Sequence, residues 1–157
     1  MNKSLLLPNK YKTIGWCILI PSAIVGLFMM IGHFEFTFKA PVFAIVSDEL
    51  FAETHYFSFV KENITYTVVG MLFICGALLV GFSKEKTEDE FIANLRLSSL
   101  LWAVLLNYTL MLLAFMFVYG PAFLQVLTYN IFTVLAIFII RFNYVLYKNA
   151  KSATDEK

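Results

Sequence analysis

The stretch from Leu97 to Ile140, LSSLLWAVLLNYTLMLLAFMFVYGPAFLQVLTYNIFTVLAIFII, holds 44 consecutive residues without a charge. About 20 apolar residues suffice for a helix to cross a hydrocarbon core of roughly 30 Å, so this run is too long for one span. It breaks at Tyr119-Gly120-Pro121, where glycine permits a turn and proline is suited to the first turn of a new helix. One span therefore covers residues 97–119, and another starts at Pro121 and continues to about Tyr147. Upstream, residues 13–32 and 63–83 are two further uncharged runs of spanning length. The first is longer than the apolar region of a signal peptide and has no small-x-small cleavage site after it, so it reads as a retained anchor. The expected fold is an all-α integral membrane four-helix bundle, with residues 1–157 as a single membrane domain.

Composition agrees with a lipid solvent. The chain is 60% hydrophobic, 17% aromatic and 15% charged, against roughly 25% charged residues in an average soluble domain. A soluble chain of this length would leave too much of that apolar surface in water. The net charge of +1 comes with no basic stripe, so nucleic acid is not an expected partner. Lysine outnumbers arginine ten to two and Phe is abundant, a bias that points to a bacterial source. With four spans, Lys3, Lys10, Lys12, Lys84, Lys86, Arg96, Arg141, Lys148, Lys151 and Lys157 fall on one side, and only Lys39 and Lys61 on the other. The positive-inside rule then places both termini in the cytoplasm, an N-in/C-in topology, in a bacterial inner membrane. Cys17 and Cys75 lie inside spans and read as small buried apolar residues.

The external loop, residues 33–62, is too aromatic for a slack linker and is expected to be structured. Phe34, Phe36 and Phe38 alternate with polar residues, as in an extended stretch. Ser47-Asp48-Glu49 resembles a helix start, which predicts a short interfacial helix through Phe51 and Tyr56. Asn63-Ile64-Thr65 has the glycosylation pattern, to which no role is assigned so near the membrane. In the cytoplasmic segment 84–96, Thr87 to Glu90 matches a capping box. A helix from Glu88 to Tyr119 would measure about 48 Å, so its first turns would project from the membrane. On that extension Phe91, Ile92 and Leu95 share a face opposite Asp89 and Glu90, a candidate docking face for a cytoplasmic protein.

Within the spans, Gly15, Ser22 and Gly26 share the spacing of Gly70, Ala77 and Gly81, which keeps small residues on one face of each helix. Such faces favour close helix packing, within a subunit or between copies. Asn107, Thr109, Asn130 and Thr133 come to similar depth in the last two spans and form a candidate interhelical polar cluster, either structural or lining a solute path. No Asp, Glu, His or Lys lies mid-span, which argues against proton-coupled transport. The two histidines, His33 and His55, fall in the external loop and are too few for a haem or zinc site. No nucleophile elbow, metalloprotease motif or phosphate loop is present. The chain is therefore expected to have no catalytic site, cofactor or metal. Its partners would be the bilayer and either another protein, which it serves as an accessory or regulatory subunit, or further copies of itself. The alternative is an oligomeric pore or carrier for a small or apolar solute.

The run Phe82 to Ile92, FSKEKTEDEFI, continuing through Leu95-Arg96-Leu97, and the ending Arg141 to Lys148, RFNYVLYK, resemble segments of a group of small bacterial inner-membrane proteins. That resemblance covers the second half of the chain better than the external loop. It implies a four-helix membrane protein without an established activity and supplies no catalytic residues.

Overall fold

The computed structural model describes residues 6–32, 37–47 and 55–155. They form four helices and one β-hairpin, in the order α1 (Lys10–Met30), β1 (Lys39–Ser47), β2 (His55–Asn63), α2 (Thr65–Gly81), α3 (Glu90–Phe117) and α4 (Pro121–Asp155). The protein is mostly helical, and α1, α3 and α4 are long and apolar enough to cross a membrane. At 1.5 Å per residue the 17 residues of α2 give about 26 Å, at the short limit for a span. The chain divides into two compact units. One takes residues up to Ile20 and from Phe73 onward, and the other runs from Pro21 to Leu72.

In the first unit every helix contributes to a single core. Leu19 comes from α1, Ala77 and Val80 from α2, Ile92, Leu95 and Ala103 from α3, and Phe138, Ile139 and Phe142 from α4. Glycine lets these helices meet closely. A Cβ on Gly76 would lie 2.8 Å from the backbone nitrogen of Leu19, and one on Gly15 would lie 2.8 Å from the Cβ of Leu79. Gly81 instead makes room for the Phe138 ring of α4. Of the small residues expected to form matching faces, Gly15 thus lies at an α1–α2 contact and Gly81 at an α2–α4 contact, and Gly76 joins the first of these. Cys17 and Cys75 are exposed rather than buried. Large apolar side chains such as Leu101, Leu105, Leu112 and Phe117 cover the outer surface of α3, each more than half exposed. A contiguous apolar exterior of this kind is suited to lipid.

The α3–α4 turn occurs at the glycine. Gly120 takes φ +70°, a conformation that costs glycine little, and Pro121 opens α4. The N-terminus of α3 differs from expectation. Its cap is Asp89, whose carboxylate accepts the Ile92 N–H at 2.8 Å, and not Thr87. The helix is accordingly 28 residues long, about 42 Å.

The second unit corrects the all-α expectation. β1 and β2 pair antiparallel, with Lys39 opposite Asn63 and Phe43 opposite Phe59. The ladder misses one pair at Phe57, which takes φ +51°. The predicted interfacial helix is not present at its ends, because Ser47 closes β1 and Tyr56 belongs to β2. Its centre, with Asp48, Glu49 and Phe51, lies outside the described residues, as do His33, Phe34 and Phe36. The Asn63-Ile64-Thr65 pattern is a structural joint. The Asn63 side-chain oxygen accepts from both the N–H (3.1 Å) and the hydroxyl (2.7 Å) of Thr65, an Asx turn that leads into α2. The Thr65 hydroxyl oxygen in turn accepts the Phe38 N–H at 3.0 Å, tying the strand to the helix start.

Candidate functional site

Two of the four residues expected to form a polar cluster pair with each other. The Asn107 amide donates to the Asn130 oxygen at 3.3 Å and accepts from the Asn130 amide at 3.2 Å, joining α3 to α4. Asn107 is buried, with 1% of its surface exposed. Thr109 and Thr133 do not take part: their hydroxyls donate to the carbonyls of Leu105 and Tyr129, four residues back on their own helices. A threonine hydroxyl is too short to reach past that nearby carbonyl, whereas an asparagine amide extends across the gap. The closed pair makes a prediction. Asn107→Leu should cost about 1–2 kcal/mol in detergent unfolding because it leaves the Asn130 amide unmatched. The double change Asn107→Leu, Asn130→Leu should recover most of the loss.

The densest polar geometry lies in residues 82–89, the loop between α2 and α3. Leu7 forms a parallel bridge with Ser83, donating its N–H to the Phe82 carbonyl (2.9 Å) and accepting from the Lys84 N–H (2.8 Å). The Asn9 amide donates to the Lys84 carbonyl at 2.7 Å. Lys12 of α1 pairs with Glu85. The Glu88 carboxylate takes both terminal nitrogens of Arg96, at 2.6 and 3.2 Å, and also accepts the Glu85 N–H at 2.9 Å. The arginine is sequestered, its side chain retaining 9% exposure against 21% for Glu88. It also donates to the Ser83 carbonyl at 3.2 Å and stacks 5.2 Å from the centre of the buried Phe142 ring. Lys12 approaches the same ring at 5.9 Å. Two cations against one aromatic group bind α1, the loop, α3 and α4 into one polar cap.

Burial raises the Glu88 carboxyl, but the Arg96 hydrogen bond, the Glu85 N–H and the charges of Arg96 and Lys84 outweigh it. The net result is a carboxyl held below its ordinary value. Its contribution to stability is complete above the ordinary carboxyl range and is lost progressively as pH falls from there through the lowered folded value. The unfolding temperature in detergent should therefore drop across that acid window, and Glu88→Gln should flatten the drop. Within the acidic run, Glu85 and Glu88 thus each hold a cation from another element.

The face expected to dock a cytoplasmic protein is not available as such. Phe91 is exposed, at 53%, but Ile92 and Leu95 are buried, at 7% and 9%, and belong to the core. Three to four residues apart on a helix, they turn inward together with Arg96 and Ser99, and Phe91 alone faces out.

No protein-family model, curated protein or solved structure matches the chain. Its geometry alone must therefore indicate its function.

A second exposed feature belongs to the hairpin. Phe43, Phe57 and Phe59 are 56%, 70% and 77% exposed, with Ile45 beside them at 62%. The Phe43 ring lies 5.4 Å from that of Phe59 and 6.4 Å from that of Phe57. The loop's composition announced aromatic content, but only the strand register shows that these side chains share one face. On α4, Arg141 stacks 4.8 Å from the Trp102 ring of α3. Sequence spacing carries no signal for that contact, because the two residues lie on different helices.

Proposed function

We propose that this chain is a four-span bundle in a bacterial inner membrane, with both termini cytoplasmic, that acts as a non-enzymatic accessory or regulatory subunit through a protein partner. The observation that carries this reading is the aromatic face of the hairpin. Fully burying a large apolar side chain is worth about 1.5–3 kcal/mol. Phe43, Phe57 and Phe59 leave most of that unrealised. A hairpin that, among the described residues, pairs with no third strand is marginal by itself and gains most from a surface laid against it. The lysine and arginine distribution supports the orientation, which sets the hairpin outside and the polar cap inside. The pore or carrier alternative draws less support, because Asn107 and Asn130 satisfy each other's amides.

Native mass spectrometry of protein extracted gently from its own membrane tests the proposal. A second polypeptide should accompany the chain, and Phe43→Thr with Phe59→Thr should release it without lowering the unfolding temperature. A homo-oligomer that is indifferent to those substitutions and conducts solute in liposomes would overturn the reading in favour of the pore.

A further inference from the structure

Beside the polar cap, within the first unit, lies a cleft of about 330 Å³. We propose that it binds the phosphate-bearing headgroup of an anionic phospholipid. Its lining is of mixed chemistry. Lys12, Lys86, Thr13 and Thr87 supply ammonium and hydroxyl donors to its lining, and Trp16, Ile92 and Leu146 supply apolar surface. Glu85 also lines the cleft, but its carboxylate is paired with Lys12. Among the described residues Lys86 has no ion-pair partner, so the lining carries one uncompensated positive charge. A phosphate diester suits that charge and those hydroxyls, and the acyl chains attached to it suit the apolar lining residues.

Position identifies the source of the phosphate, and here the inference rests on the membrane-spanning reading. Tyr11, one residue before Lys12, is 44% exposed, and Tyr144 and Tyr147, which flank Leu146, are 65% and 70% exposed. Exposed tyrosines at the ends of apolar helices collect at headgroup depth, so the cleft opens where phospholipid phosphates lie. The cleft shares Lys12 and Glu85 with the polar cap. Lys12 is held by Glu85 and the Phe142 ring, so one donor is positioned before a lipid arrives.

Trp16 provides the readout. In a Trp102→Phe background, which keeps an aromatic ring beneath Arg141, Trp16 is the chain's sole tryptophan. The protein is reconstituted in phosphatidylcholine vesicles and titrated with brominated phosphatidylglycerol, which quenches indole fluorescence on contact. Quenching should saturate, and should require several-fold less lipid than with brominated phosphatidylcholine. Lys86→Gln should raise the half-saturating fraction roughly fivefold, the value of one lysine near an anionic surface, with an unchanged circular-dichroism melt. Equal quenching by the two lipids, or a Lys86→Gln variant that behaves as wild type, would overturn the proposal. Relief of quenching by millimolar inorganic phosphate would overturn the lipid assignment and make free phosphate the ligand. Neither result depends on whether a protein partner occupies the hairpin, which native mass spectrometry reads separately.

Discussion

Gly76→Val should cost the protein about 3 kcal/mol or more and separate α1 from α2. The new Cβ would fall 2.8 Å from the Leu19 nitrogen and 3.0 Å from its Cα. These are backbone atoms inside a helix, which cannot move aside as the end of a flexible side chain can. Overpacking of this kind typically costs 1–3 kcal/mol, and the branched methyls of valine place this case at the top of that range. Gly15→Val should behave alike, since its Cβ would meet the Val80 backbone nitrogen at 2.9 Å. Gly26→Ala is the control, because the nearest atom to its Cβ is Val69 Cγ1 at 3.8 Å, an ordinary contact. Alanine there should be neutral or slightly stabilising, given the poor helix propensity of glycine. Denaturant unfolding in detergent, followed by circular dichroism, separates the three variants. A Gly76→Val protein as stable as wild type would mean that the two helices do not meet at Leu19.

The second large effect is an asymmetry within one ion pair. Glu88→Ala should destabilise by about 2–3 kcal/mol, and Arg96→Met by about 1 kcal/mol or less. Removing one partner of a fully buried pair costs 3–5 kcal/mol, because the other charge stays behind unpaired. Loss of Glu88 leaves a guanidinium that is nearly enclosed and whose Nε already lacks a hydrogen-bond partner. Water reaching the vacated Glu88 position reduces the penalty, hence the lower figure. Loss of Arg96 leaves a carboxylate that is one-fifth exposed and can hydrate, while methionine keeps much of the packing against Phe142. The double variant should match Arg96→Met alone. Equal losses from the two single changes would indicate that the pair is solvated and the cap open.

How far the fold could be read from sequence depended on the range of the interactions. The α3–α4 boundary was legible because it rests on one local conflict, an apolar run too long for one helix interrupted by glycine and proline. The apolar stretches within α1, α3 and α4 were legible from the same uninterrupted hydropathy, but α3 starts earlier, at Glu90, and α4 runs on past Arg141 and Lys148 to Asp155. The hairpin was not legible. Pro41 and two alanines dilute the strand character of β1, and Ser47-Asp48-Glu49 carries a local helix-start pattern. The pairing of Lys39 with Asn63 is a contact between distant residues to which no local pattern points. The cap of α3 moved from Thr87 to Asp89 for a related reason: Glu88, the first residue of the expected helix, accepts the Glu85 N–H and pairs with Arg96 eight residues on, leaving Asp89 to cap the helix. Among the candidate site residues, the two asparagines were brought together and the two threonines were not, a difference of side-chain reach that residue depth alone does not reveal. Ile92 and Leu95 showed an amphipathic face correctly, but periodicity does not say whether an apolar face meets the chain's own core or another molecule.

The bridge from Leu7 to Ser83 gives the protein's synthesis a schedule. Asn9 and its acceptor Lys84 are 75 residues apart. At a translation rate of roughly 5–20 residues per second, about 4–15 s pass between the emergence of the first and that of the second. Through that interval α1 can enter the bilayer, but the backbone ahead of it has no strand to pair with and Lys12 has no Glu85. The amino-terminal segment is therefore fastened late, after the hairpin and α2 have been made.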